Sequence, residues 1–321
     1  MEGPWTPRET SAAGQVFEFR LWAALTEQSR GSLHVFLPLA DRGVDALVHR
    51  LSDGTYFEVQ AKSRSALMDG EVHLVVWAES LIHDELVIVA GLIVDGGLGP
   101  TVLVVPAADF KRYANLSSNN GVPLYSMYFG MRPRSDSRWL PWLVPVERLA
   151  ERFGVAVERL AEVPVGARSE WRSDVGFLGE LEVARLLAEP GDLNLFRPFP
   201  DSETAELAVL HLATRHVFGL QVKTVEVGEA RMHATVNVYR PSFRAAPTTL
   251  IVVLAWHRDQ SRFHEDCLLI PSVDLVDIAS DDGHGHLTFD WLPGSATPDR
   301  FVKYRVAITD LRARVTSLVS T

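Results

Sequence analysis

Cysteine occurs once in the 321 residues, at Cys267. A lone thiol excludes an internal disulfide and any cysteine-rich zinc site, and a reducing cytoplasm is the expected compartment. Lysine is nearly as scarce: of 31 basic residues, only Lys62, Lys111, Lys223 and Lys303 are not arginine. Long apolar runs are missing too. The longest, Leu86–Val94 and Leu250–Trp256, fall far short of the ~20 residues that span a bilayer, so no membrane association is expected. The opening Met1-Glu-Gly-Pro-Trp5 lacks the basic start and apolar core of a signal peptide. No Walker loop, GxSxG elbow or dinucleotide fingerprint occurs. Nor is there an excess of basic charge. Acidic residues number 41 against 31 basic, a net −10 shared equally by the segments before and after residue 165. Neither half is a basic nucleic-acid-coating module, so contact with DNA or RNA is expected only through a local patch.

What is present is a repeat. Phe57-Glu-Val-Gln-Ala-Lys-Ser63 answers Phe218-Gly-Leu-Gln-Val-Lys-Thr224, which maps Gln60 and Lys62 onto Gln221 and Lys223 at an offset of 161. Asp45 lies 15 residues before Gln60, as Glu206 lies 15 before Gln221. Gly14-Gln-Val-Phe-Glu18 answers Gly176-Phe-Leu-Gly-Glu180, and Pro38-Leu-Ala-Asp41 answers Pro198-Phe-Pro-Asp201. Downstream, Val72-His73 answers Met232-His233, Leu103-Val-Val-Pro106 answers Leu268-Leu-Ile-Pro271, and Leu149 answers Leu311. An ordered series whose offset drifts only between 160 and 165 is a tandem duplication. The expected domains are 1–165 and 166–321, with the boundary in the Pro- and Gly-containing stretch Val163–Ser169.

Each copy reads as an α/β unit with a mixed sheet flanked by helices. In the first, helical spacing from Ser11, a candidate cap, to Gln28 is followed by β-like runs at Leu33–Leu37, Val44–Leu51, Thr55–Lys62 and Glu71–Trp77. Asp53-Gly54 predicts a hairpin turn. Leu86–Val94 and Thr101–Val105 are apolar on both faces, as buried central strands are. A closing helix is expected over Val146–Ala161. The second copy repeats this order, from a helix at Asp174–Ala188 to a final helix near Thr309–Val319.

Residues two apart on a strand share a face, so Glu58, Gln60 and Lys62 point the same way. Asp45 belongs to the preceding hairpin strand and Glu18 to the first helix. Carboxylates, an amide oxygen and one ammonium suit a hard cation and phosphate chemistry. The lysines carry weight because two of only four occupy the matching QxK positions in a chain that otherwise writes arginine.

The pattern Glu18…Asp45…Gln60-Ala-Lys62 resembles the active-site signature of the PD-(D/E)XK, or restriction-endonuclease-like, nuclease superfamily, in the Gln-bearing variant of its Mrr-like branch. The resemblance covers about Gly14–Trp77 and Gly176–Val238. It implies two tandem restriction-endonuclease-like domains. It further implies Asp45, Gln60 and Glu18 as ligands of Mg²⁺ or Mn²⁺, and Lys62 assisting the attacking water, with Glu58 beside them. The second-copy counterparts are Glu206, Gln221, Lys223 and Glu180. That copy departs from the pattern: Glu206 replaces an aspartate and Gly219 replaces Glu58, while Asp201 and Glu203 stand at a different spacing. It is therefore the copy expected to bind or scaffold rather than cut.

The resemblance implies hydrolysis of DNA phosphodiester bonds in restriction or anti-phage defence. The alternative is a catalytically inactive nuclease fold serving as a nucleic-acid-binding or protein-interaction module, with a protein partner supplying specificity. Arg132, Arg134 and Arg138, interleaved with the aromatics of Tyr125–Trp142, are candidate nucleic-acid contacts; aromatics in such a loop-rich segment more often cover a core or an interdomain contact. His73 and His233 read as half-buried strand histidines, and His284-Gly-His286 as a loop.

Overall fold

A computed structural model describes residues 7–40, 42–94, 97–157, 174–188, 191–199, 205–228, 233–241, 243–295 and 299–319. The protein is α/β, and its contacts divide it into two compact units, Met1–Val35 with Asp41–Pro164 and Phe36–Ala40 with Val165–Thr321. The expected boundary stretch 163–169, together with Asp41, Asp201, Glu203, Met232 and the Ser11 side chain, lies outside the described residues. None of the helices among the described residues is long and apolar enough to cross a membrane.

The first unit opens with helix α1 (Pro7–Gln28), four residues earlier than the Ser11 cap predicts. Its strands are β1 (Leu33–Pro38), β2 (Ala46–Arg50), β3 (Thr55–Arg64), β4 (Glu71–Trp77), β5 (Val87–Val94), β6 (Gly97–Leu98), β7 (Thr101–Pro106), β8 (Asn115–Asn119), β9 (Val122–Gly130) and β10 (Leu143–Pro145), with helix α2 (Ala107–Tyr113) after β7. The principal sheet runs β10-β7-β5-β3-β2-β1, and a smaller one runs β4-β9-β8. Within the principal sheet β3 and β5 are parallel, while β2–β3, β5–β7 and β7–β10 are antiparallel. The parallel pair needs a crossover, and β4 lies in it.

The β2–β3 hairpin closes as Asp53-Gly54 predicts. Gly54 takes φ 73° and donates its N–H to the Arg50 carbonyl at 2.9 Å. The Asp53 carboxylate accepts from Thr55 N–H and from two Arg50 nitrogens, and that pairing holds it well below the usual carboxylate range.

Two expectations fail locally. In place of a closing helix over 146–161, Val146–Phe153 forms 3₁₀ turns that stop at Gly154, which sits at φ 77°. Arg148 has a non-helical backbone there, and a left-handed glycine ends the turn in the manner of a helix C-cap; residues 158–161 lie outside the described residues. Tyr125–Gly130, read as loop-rich, is instead part of β9. The Asn120-Gly121 pair, with φ of 50° and 81°, makes the two-residue turn that joins it to β8.

The second unit repeats the first. Helix α3 (Asp174–Leu187) precedes β11 (Leu193–Phe199), β12 (Leu207–His211), β13 (Val217–Val227), β14 (Ala234–Tyr239), β15 (Thr249–His257), β16 (Arg262–Phe263) and β17 (Asp266–Pro271). Then come α4 (Ser272–Ile278), β18 (Ser280–Asp281), β19 (His286–Trp291), β20 (Arg305–Ala307) and α5 (Leu311–Val319). Its principal sheet runs β11-β12-β13-β15-β17-β20 and its smaller one β14-β19-β18. The registers match residue for residue. Ala46 pairs with Val59 as Leu207 pairs with Leu220, and Lys62 pairs with Ala90 as Lys223 pairs with Val253.

In both units the first helix packs on the same face of the sheet, by opposite choices of side-chain size. Phe17 of α1 lies over Gly91, whose Cβ, were there one, would sit 3.1 Å from the Phe17 ring. The repeat offsets put Gly179 where Phe17 stands and Leu254 where Gly91 stands, and Gly179 does face Leu254 and Thr224. Volume is exchanged across the contact, which keeps its density. A methyl at Gly179 would land on Thr224 Oγ1. Gly179→Ala should therefore destabilise the protein by about 1–3 kcal/mol in urea unfolding, despite alanine's better helix propensity. Part of that loss should disappear in a Thr224→Ala background, which removes the Oγ1 clash but keeps the Cβ of residue 224 at 3.1 Å and the contact with Leu254.

Candidate active site

The site is built where β2 parts from β3. Asp45, one residue before β2, donates its N–H to the Val59 carbonyl at 2.9 Å. Its Oδ2 accepts the Ala61 N–H at 2.8 Å, so the carboxylate stands where the next ladder carbonyl would be. Glu206 repeats both bonds. It donates to Leu220 at 2.9 Å and its Oε2 accepts from Val222 at 2.8 Å. In each unit the acid is held against the backbone of the residue between glutamine and lysine.

Glu58, Gln60 and Lys62 follow on one face of β3. Gln60 is buried, and its Oε1 has no hydrogen-bond partner among the described residues. An amide oxygen left this way costs about 1–3 kcal/mol unless a ligand or water satisfies it. Glu58 is also buried, with His83 Nε2 3.2 Å from its Oε1. Burial pushes the His83 imidazole below its ordinary value, so at neutral pH this contact brings Glu58 no full positive charge. Lys62 is half-buried and makes no ion pair among the described residues.

The second unit fills the same positions differently. Lys223 Nζ lies 3.4 Å from Glu206 Oε1, so both Glu206 oxygens have partners, one on the backbone and one on the ammonium. Gln221 is buried. Gly219, standing where Glu58 stands, pairs with Ala208 and offers no carboxylate. Burial raises the Glu206 carboxyl above its ordinary value, and the Lys223 charge opposes that rise without cancelling it.

The helix carboxylates arise on the other side. Gly91 is in register with Ser63, so Phe17 of α1 covers the face bearing Ala61 and Ser63, and Gln60 and Lys62 project from the opposite one. Likewise Val183 and Leu187 of α3 pack with Leu220 and Val222. The face of Gln221 and Lys223 carries Ile251 and Val253, which pack with the smaller sheet. Glu18 is half-buried, and the Glu180 carboxylate lies 3.9 Å from Arg197. The structure thus gathers Asp45, Glu58, Gln60 and Lys62, whereas Glu18 and Glu180 stem from helices across the sheet. His83 is the member that spacing alone does not reveal, because it reaches Glu58 from the turn before β5.

Among the described residues no group of three or more His, Cys, Asp and Glu side chains is arranged to hold a metal ion. What the first unit does offer is the Asp45 carboxylate and the buried, unpartnered Gln60 Oε1. Both are hard oxygen donors, and they fit a cation such as Mg²⁺ or Mn²⁺, which keeps several waters and binds through one or two carboxylates. Arg132, Arg134 and Arg138 lie apart from this cluster, in the segment after β9. Arg134 is bound by both its forks to Asp136. Trp139 is buried and covers core.

A carboxyl whose value is raised in the folded state binds its proton more tightly there than in the unfolded chain. The stability this contributes is complete below the ordinary glutamate value and is lost as pH rises through the raised one. Glu206→Gln removes the ionisation, so wild type should lose stability relative to the variant as pH is raised from about 4.5 toward neutrality. Urea unfolding of both proteins across that range measures the difference, and parallel pH profiles would show that Glu206 does not titrate with folding.

Compared with family models, with curated proteins and with solved structures, the chain matches none.

Proposed function

We propose that the first unit hydrolyses phosphodiester bonds of DNA with Mg²⁺ or Mn²⁺, and that the second is a non-catalytic copy supporting it. The reading assigns both units to the restriction-endonuclease-like class, and with it a setting in the cytoplasm and in restriction or anti-phage defence. One observation carries it: the same acid–amide–ammonium set occupies the same register in both units, closed by an ion pair in the second and left open at Gln60 Oε1 in the first.

Asp45 and Gln60 would hold the cation. When bound, it polarises the phosphate and acidifies a coordinated water. Lys62, a compact ammonium two residues along the same strand face, stabilises charge gathering on the phosphate and orients the attacking water. Ala61 N–H fixes the Asp45 carboxylate, so the acid does not reorganise during the reaction. Glu58, beside the neutral His83, adds negative charge that attracts the cation.

The alternative, an inactive nuclease fold that binds nucleic acid or a protein partner, also has an observation behind it. The ladder-capping bond gives Asp45 and Glu206 a structural reason to be acidic. Cleavage of supercoiled and linear plasmid, with and without Mg²⁺ or Mn²⁺, separates the two. Lys62→Ala should lower metal-dependent cleavage by about 10²–10³-fold, while Lys223→Ala leaves it within twofold. No cleavage by any of the three proteins, with no metal uptake by calorimetry, would leave the inactive fold.

A further inference from the structure

The outer face of the β4-β9-β8 sheet carries a feature that hydrolysis at β3 does not use. Antiparallel pairing sets His73 opposite Tyr128, and their rings stack at 4.3 Å and 7°. Tyr128 is 40% exposed, although its strand neighbours Met127 and Phe129 are buried in the core. It borders a cleft of about 310 Å³ whose rim carries Arg132, Arg134, Arg138 and Asn115. This is the size of a small-ligand pocket.

The charges in the cleft are unequally engaged. Asp136 neutralises Arg134 through two bonds. Arg138 has only a 3.5 Å contact with Asn115 Oδ1 and a position over the Trp139 ring. Neither Arg138 nor Arg132 has an acidic partner within ion-pair distance among the described residues. Glu71 also lines the cleft, and against it two guanidinium groups without an ion-pair partner, beside an exposed phenol ring, complement a ligand with a flat π-face and a nearby phosphate. The shared architecture does not require the feature: His233, the repeat counterpart of His73, lies 3.7 Å from the Asp290 carboxylate and stacks on no ring among the described residues.

We propose that this cleft holds an unpaired nucleotide, with the base stacked at Tyr128 and its phosphate engaged by Arg132 and Arg138. Bases inside a duplex hide their faces against one another, so an aromatic on a sheet surface selects strands whose bases are unstacked. The nucleic acid that the first unit takes therefore presents a single strand, a gap or an extruded base. The proposal rests on the nucleic-acid part of the reading above but not on its chemistry.

Fluorescence anisotropy of the full chain in EDTA tests it, with a labelled 12-nucleotide single strand, as DNA and as RNA, against the same sequence as duplex. The single strand should bind more tightly than the duplex. Tyr128→Ala should weaken it by about 5- to 100-fold with an unchanged thermal melt, and Arg138→Gln should reduce the slope of log affinity against log salt by about 0.7. Equal affinity for single strand and duplex, or wild-type binding by Tyr128→Ala, overturns the cleft. Because metal is absent, the two readings fail separately. Tyr128-dependent binding without plasmid cleavage removes the hydrolysis and keeps the cleft, and cleavage with Tyr128-independent binding does the reverse.

Discussion

The bond from a side-chain carboxylate to the N–H between glutamine and lysine orders the rest of each unit. Where β2 turns away, the N–H of Ala61 or Val222 loses its ladder carbonyl while still inside the sheet, and a buried donor must be satisfied. An acid at position 45 or 206 supplies the missing acceptor. The same bond pins a negative charge beside a strand whose next polar residues are an amide and an ammonium. Chain topology and the placement of the acid are thus fixed by one contact, which both copies keep at the same spacing while much around it differs.

The copies diverge in what becomes of the remaining polar atoms. Glutamate at 206 is one methylene longer than aspartate at 45, and with one oxygen on the backbone its other oxygen meets Lys223. A mostly buried pair of this kind roughly balances its own desolvation, so it closes the position without adding much stability. Gly219, where the first unit has Glu58, leaves that closed position without a second carboxylate. The first unit keeps Glu58 and a buried amide oxygen that has no hydrogen-bond partner among the described residues. The cost of burying such an oxygen is offset only where a ligand or water satisfies the atom, and that is why the proposed chemistry is assigned to the first unit.

The repeat, the hairpin at Asp53-Gly54 and the strand face shared by Glu58, Gln60 and Lys62 are all legible from spacing, since each depends on residues close in sequence. Asn120-Gly121 is also legible as a positive-φ turn, whereas the aromatic and arginine-rich sequence after it does not by itself distinguish β9 from a loop. The face chosen by the first helix was not legible. Leu86–Val94 is apolar on both sides, so strand parity says which residues travel together but not which side receives a helix. That choice follows from fit. Gly91 leaves room for Phe17, and Gly179 leaves room for Thr224 and Leu254. The exchange of large for small between copies is invisible until the register is known. It carries Glu18 and Glu180 away from the lysines they seemed to join.

If the cleft holds an unpaired nucleotide, the net charge of −10 bears on how it would do so. A protein that bound nucleic acid through many phosphate contacts would need a basic surface, and its affinity would collapse with added salt. With two uncompensated guanidinium groups beside one exposed ring, electrostatics can contribute only a small part, and the flat face of an unpaired base must contribute the larger. The acidic remainder then works in the same direction by repelling duplex that would otherwise coat the surface without engaging the cleft. On the proposed reading, selectivity for an unpaired base would arise from stacking at Tyr128 acting together with Arg132 and Arg138, and not from a broadly basic surface.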